Sequence, residues 1–157
     1  VAYSGFPAGY RQQKEVRAMR TARAQPGIYA GVYYNDPAAA IEWLCSALGF
    51  RKRLVVPGDN GRILHSELSL GEAVVMVGHA SPERGTASPL SISAVSQSLY
   101  ITVKDPDAHY ANAIAHGARI TRKIADMEYG SREYSCTDLE GHQWSFGTYV
   151  PGADWES

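Results

Sequence analysis

Two side chains stand at a spacing that could do chemistry together: His65 and Glu67, two apart in the run Ile63-Leu64-His65-Ser66-Glu67-Leu68. In an extended strand, residues i and i+2 share a face, so an imidazole and a carboxylate would lie side by side. Such a pair can transfer a proton, form half of a metal site, or serve only as a structural hydrogen bond of the kind buried polar groups usually make. No second pair of this kind is present to complete four metal ligands. His79, His109 and His116 fall on a connector or on helices, where surface placement is the plain reading. The only cysteines are Cys45 and Cys136, one on an expected helix and one in an expected strand. Their spacing suggests neither zinc nor a redox pair, and both read as small buried side chains. The sequence has no Gly-rich phosphate loop, no Gly-x-Ser-x-Gly elbow and no Cys-His nucleophile arrangement. Ser91 and Ser93 lie in a stretch without the rigid support a nucleophile needs.

A different chemistry is better supplied. Tyr29, Tyr33, Tyr100, Tyr129, Tyr134, Trp144 and Tyr149 all fall in or beside expected strands. Alternation puts Tyr29 and Tyr33 on one face, and Arg132, Tyr134 and Cys136 together on another. Flat rings with an occasional hydroxyl and one arginine suit stacking on a conjugated ligand and pairing with an acidic group on it. The same rings serve equally well as ordinary sheet packing.

The elements that must position these groups occur twice. An apolar run, Asp-Pro, a helical stretch closed by Gly, and strands ending at a second Gly are marked first by Asp36-Pro37, Gly49 and Gly71. The same order returns with Asp105-Pro106, Gly117 and Gly141. Asp before Pro supplies a helix N-cap and a first-turn proline, and Gly supplies the left-handed stop. Ala38, Ile41, Leu44, Cys45 and Leu48 form an apolar stripe at helical spacing. Each unit therefore reads as strand, helix, three strands. A module of this size cannot bury its own sheet face, so the two must pair. The expected fold is α+β, with two tandem βαβββ modules whose curved mixed sheets enclose a cleft. Its segments are an N-terminal extension, helical or disordered (1–27), a first module (28–78), a connector that could flap over the cleft (79–97), a second module (98–150) and a tail (151–157).

The chain has 157 residues and a formal net charge of -1, which fits one domain with a substantial core and makes no electrostatic case for nucleic acid or an anionic membrane. Arg11, Lys14, Arg17, Arg20 and Arg23 are interleaved with Ala and Gln and read as a solvated extension. The apolar runs are too short to span a bilayer, and the N-terminus lacks a signal-like core. A cytoplasmic protein is expected.

The tandem units, with helices ending in Ala47-Leu48-Gly49-Phe50 and His116-Gly117-Ala118, resemble the vicinal oxygen chelate superfamily of glyoxalases, extradiol dioxygenases and bleomycin-resistance proteins. The likeness runs from about Gly27 to Tyr149. Ile63 to Leu68, Tyr129-Gly130-Ser131-Arg132 and Thr137-Asp138-Leu139-Glu140-Gly141-His142-Gln143-Trp144 are most similar to its PhnB-like branch. The resemblance implies sheets curved around a cavity, frequent homodimers, and modules paired either within a chain or between two chains. It also favours a structural role for His142. In metal-using members four strand residues hold the ion, and the matching positions here are Tyr29, Met76, Ser98 and Ser145. Met, Ser and neutral Tyr lack the charge and lone pairs a divalent ion wants, so no metal and no cofactor are expected. The residues expected to touch a ligand are Tyr29, His65, Met76, Ser98, Tyr129, Arg132 and Ser145. The leading expectation is a protein that binds a small aromatic or polycyclic organic molecule without chemistry, as in antibiotic sequestration. The alternatives are an enzyme of the same superfamily, a lyase, isomerase or dioxygenase with divergent metal ligands or with His65 and Glu67 as acid-base catalysts, and a dimeric interaction module without a ligand.

Overall fold

A computed structural model of the protein describes residues 27–153. The expected N-terminal extension, Gly27 apart, and the last four residues of the tail lie outside the described residues. The first module runs β1 (Ala30–Tyr34), α1 (Pro37–Leu48), β2 (Arg51–Pro57), β3 (Ile63–Leu70) and β4 (Ala73–His79). A short helix, α2 (Pro89–Ile92), lies in the connector. The second module runs β5 (Ser98–Thr102), α3 (Pro106–Ala115), β6 (Arg119–Asp126), β7 (Arg132–Thr137) and β8 (Gln143–Gly147). The strands form two four-stranded mixed sheets with the same order, β1-β4-β3-β2 and β5-β8-β7-β6. In each, the first strand runs parallel to the last and the remaining pairs are antiparallel. The fold is α+β, and the repeated punctuation is a repeated topology. Among the described residues no helix is long and apolar enough to cross a membrane.

The helix signals act as their chemistry dictates. The Asp36 carboxylate accepts from the Ala39 amide at 3.0 Å and the Asp105 carboxylate from the Ala108 amide at 2.9 Å, satisfying one orphan donor in each first turn. Gly49 stops α1 with φ of 71°, a left-handed conformation that a Cβ would oppose. The helix buries Ala40, Ile41, Leu44, Ala47 and Leu48. That stripe, Val32, Tyr34, Leu68, Val75 and Val77 from the first sheet, and Ile101, Tyr134, Cys136, Trp144 and Phe146 from the second make one hydrophobic core. What the chain buries between its modules is therefore the helix-bearing side of each sheet. The opposite side of each sheet, its open face, lies away from that core.

The connector is more structured than its composition suggests. Ser81 and Thr86 form a bridge around a 3-10 turn at Pro82–Arg84. Ser88 accepts from the Leu90 amide to start α2 and donates its hydroxyl to the Glu140 carboxylate in the β7–β8 turn.

Candidate functional site

The open face of the first sheet is built by strand alternation. In β1, Val32 and Tyr34 go to the core, so Gly31 and Tyr33 go to the other side, where Tyr33 is 36% exposed. In β4, Val75 and Val77 are buried, which leaves Met76 and Gly78 on the open face, and Gly31 pairs with Met76 in register. In β3, Ser66 and Leu68 face inward, and the Ser66 hydroxyl donates to the Val77 carbonyl at 2.6 Å. His65 and Glu67 are thereby left outward, with Nε2 of His65 and Oε1 of Glu67 3.2 Å apart.

These residues enclose a cavity of about 310 Å³, whose walls include Tyr33, Ile63, Leu64, His65 and Met76. Two glycines line it under the Tyr33 side chain, and at Gly31 alone would a Cβ be crowded, the approach at Gly78 being an ordinary contact. A Cβ on Gly31 would come within 3.3 Å of the Tyr33 hydroxyl, and one on Gly78 within 3.7 Å of the Tyr33 ring. The Tyr33 side chain thus lies close over both backbones. His79, Arg84 and Thr86 also line it.

The open face of the second sheet carries hydroxyls instead. Ser98 and Tyr100 from β5 and Ser145 from β8 share it, Tyr100 pairs with Ser145 in register, and the Ser135 and Ser145 hydroxyls are 2.9 Å apart. Glu133 is buried at 4% exposure beside Arg122, whose Nη2 donates to it at 2.7 Å. Burial pushes the Glu133 carboxyl up, but hydrogen bonds from Ser131, Arg122 and Tyr129 outweigh it and hold the group below its ordinary value. Burial raises the Tyr100 hydroxyl above its usual range.

Of the seven residues expected at a ligand, the structure brings His65 and Met76 together in the first-sheet cavity. Ser98 and Ser145 lie on the second open face. Tyr129 is exposed on the β6–β7 turn, its ring 6.0 Å from that of Tyr149. Tyr29 precedes β1 and is exposed. Arg132 lies apart from these, on the parity of Tyr134 and Cys136. It is held by Asp107 of α3 through two bonds of 2.7 and 2.8 Å and by Asp126 at 3.0 Å. The sequence shows Tyr33 as one of the strand aromatics, yet it is absent from the seven expected contacts, and His79 is expected on the connector. The strand β4 in fact continues to His79 because that residue pairs with Tyr34. His109 is not a surface group either. Its Nε2 donates to the Leu48 carbonyl at 3.1 Å, and its Nδ1 accepts from the Tyr134 hydroxyl at 2.7 Å.

The residues present do not fit a divalent ion. Gly31 and Met76 on one open face, and Tyr100 and Ser145 on the other, offer no carboxylate or imidazole at the paired positions of the first and last strands. Among the described residues on this face, the His65 imidazole and the Glu67 carboxylate are in contact with each other. Among the described residues no three His, Cys, Asp or Glu side chains cluster as a metal site would require.

Comparison with known proteins agrees with this architecture. TioX from Micromonospora sp. ML1 is 31% identical, with a TM-score of 0.64 over 80% of this chain and 100% of its own. TnmS3, described as an antibiotic binding protein from Streptomyces sp. CB03234, shares the fold at 16% identity, with a TM-score of 0.63 over 82% of this chain and 98% of its own. The protein Rv0887c of Mycobacterium tuberculosis is 26% identical over 144 residues, which is 90% of this chain and 83% of that one. Residues 28–146 match one family along both modules, and the chain belongs to it: the Glyoxalase/Bleomycin resistance protein/Dioxygenase superfamily.

Proposed function

We propose that the protein binds a small aromatic or polycyclic organic molecule on the open face of its first sheet, without metal and without transforming it, and so sequesters a compound such as an antibiotic. The observation that carries this reading is the cavity of about 310 Å³ in which the Tyr33 ring and Met76 meet Ile63 and Leu64. That volume and mixture of apolar walls with a few polar groups suit a small ligand, and binding needs nothing more. The antibiotic-binding description of TnmS3 supports the same reading. A homodimer belongs to it too, since the sheet sides left outside the core offer a second copy a wall to complete. So do action in the cytoplasm, no nucleic-acid or membrane partner, and a place in the PhnB-like branch on the strength of the Ile63–Leu68 and Thr137–Trp144 motifs.

The test is a thermal-shift screen of aromatic antibiotics and polycyclic metabolites. A ligand at a hundred times its Kd raises stability by about 2.7 kcal/mol, several degrees for a domain of this size. No shift with any chemical class at saturating concentration would sink the reading. Light scattering checks the assembly, where a monomer would remove the dimer.

One observation favours a second reading, acid-base catalysis: the 3.2 Å contact between His65 and Glu67 on the cavity face. It predicts that His65→Ala abolishes turnover of a bound compound while leaving the fold and the affinity in place.

A further inference from the structure

We propose that the ligand of the first-sheet cavity presents an acceptor oxygen, such as a ketone carbonyl, and that the Nε2–H of His79 donates to it. This rests on the binding reading above and adds the polar contact that orients the aromatic ligand. The site arises from a difference between the two modules. In the second, β7 and β8 stay in register from Glu133–Gly147 to Thr137–Gln143. In the first, the register of β3 with β4 runs from Leu68–Val75 to Leu70–Ala73. The other half of β3 stays with β2 through Val55–Ser66 and Val56–His65, and the other half of β4 stays with β1 as far as Tyr34–His79. The sheet therefore divides beyond Leu68. Ile63, Leu64 and His65 line the cavity from one side of the division, and Met76 to His79 line it from the other.

Side chains span the division where the ladder stops. The Ser66 hydroxyl donates to the Val77 carbonyl at 2.6 Å and accepts the Val77 N–H at 3.2 Å. At the end of β4, Nδ1 of His79 accepts the Ile63 N–H at 3.2 Å. A backbone N–H can only donate, so Nδ1 offers its lone pair and the proton of the neutral ring sits on Nε2. Among the described residues Nε2 makes no hydrogen bond, and His79 lines the cavity. What His79 holds out to a ligand is thus a donor whose ring is already anchored at its other nitrogen, so little freedom is lost on binding. A ligand of the same shape without an acceptor would cover this donor and leave it unpaired, and a site built on a hydrogen bond discriminates against that.

The experiment titrates the full chain at about pH 8, where histidine side chains are ordinarily neutral, with 2-acetylnaphthalene and 2-ethylnaphthalene. The two share a ring system and differ by the carbonyl oxygen, so the ratio of their affinities isolates the polar contact. His79→Asn keeps an oxygen near the place of Nδ1 to accept the Ile63 N–H and lacks the Nε2 donor. In that variant the ratio should move about fivefold toward the ethyl compound, the worth of one neutral hydrogen bond. In the wild-type protein, a nitrogen-resolved NMR spectrum of the histidine rings should place the His79 proton on Nε2 and show it moved downfield by the ketone and not by the hydrocarbon. That measurement decides the matter if His79→Asn does not fold. A His79 proton on Nδ1, no ketone-specific shift, or an unchanged ratio in the folded variant overturns the proposal and leaves the binding reading standing. Binding of neither compound overturns both.

Discussion

Tyr33 brings the ring to the cavity, and Gly31 makes room for its hydroxyl. Because its neighbours Val32 and Tyr34 are buried while Tyr33 itself is partly exposed, the ring contributes little to the core and much to the open face. Tyr33→Ala should therefore weaken an aromatic ligand by about 1–3 kcal/mol, roughly fivefold to 150-fold, with little change in the melting temperature of the free protein. Ligand titration alongside a melting curve checks both halves, and a large fall in the free protein's stability would reassign Tyr33 to the core. Met76 was legible through the family pattern, and His65 through the strand face that its two-residue spacing from Glu67 implies. Arg132 was legible only as a residue that shares a face with Tyr134. Which face that was depends on Asp107 of α3, a partner that lies in a different element and leaves no mark near residue 132.

At the scale of elements, the helices show how the modules lock together. The last carbonyls of an α-helix have no partner within it, and α3 supplies partners to α1. Asn112 donates to the Ser46 and Ala47 carbonyls, both at 2.9 Å, and His109 to that of Leu48. Asn112→Ala should cost about 1 kcal/mol in urea unfolding, the usual worth of such bonds. His109 makes the arrangement sensitive to pH. Desolvation by burial lowers its pKa below the ordinary 6.5, although the Leu48 carbonyl opposes this. A His whose folded pKa is depressed leaves the unfolded chain binding more protons, so stability is full above about pH 6.5 and falls as pH drops below it. The wild-type urea midpoint should be lower at pH 5.5 than at pH 7.5. His109→Gln should be less stable at pH 7.5 and show a shallower fall, and an unchanged slope would show that another group titrates. The helix caps were readable because Asp-Pro and Gly act within a few residues. Strand ends were less so. β4 runs past Val77 to His79 because Tyr34 pairs with it across the sheet, and the connector is tied down by a Ser88–Glu140 contact that no local composition announces.

In the whole molecule the two modules share one core and one latch. The latch is the turn from Asp138 to His142. The Asp138 carboxylate accepts the Tyr34 hydroxyl, the Trp144 indole N–H at 2.9 Å and three amides of its own turn. His142 donates to the Tyr33 carbonyl at 2.9 Å. Glu140 accepts the Asn35 and Asp36 amides, both at 2.8 Å, and the Ser88 hydroxyl. The Asp-Leu-Glu-Gly-His motif was readable as a family signature. Its task was not, because the partners of the Glu140 carboxylate lie in the first module and the connector. Glu140→Ala leaves two amides and a hydroxyl without their acceptor and should cost about 2–4 kcal/mol, whereas Glu140→Gln keeps one acceptor oxygen and should cost about half as much. Because Phe50 of the first module meets Trp144 of the second edge-on at 5.6 Å inside a common core, the loss should lower one cooperative transition rather than free one module. The midpoints from far-UV dichroism and tryptophan fluorescence should then move down together. Two separated transitions in Glu140→Ala would mean that each module supports itself and that the latch, more than the core, keeps the first cavity in a fixed position relative to the second sheet.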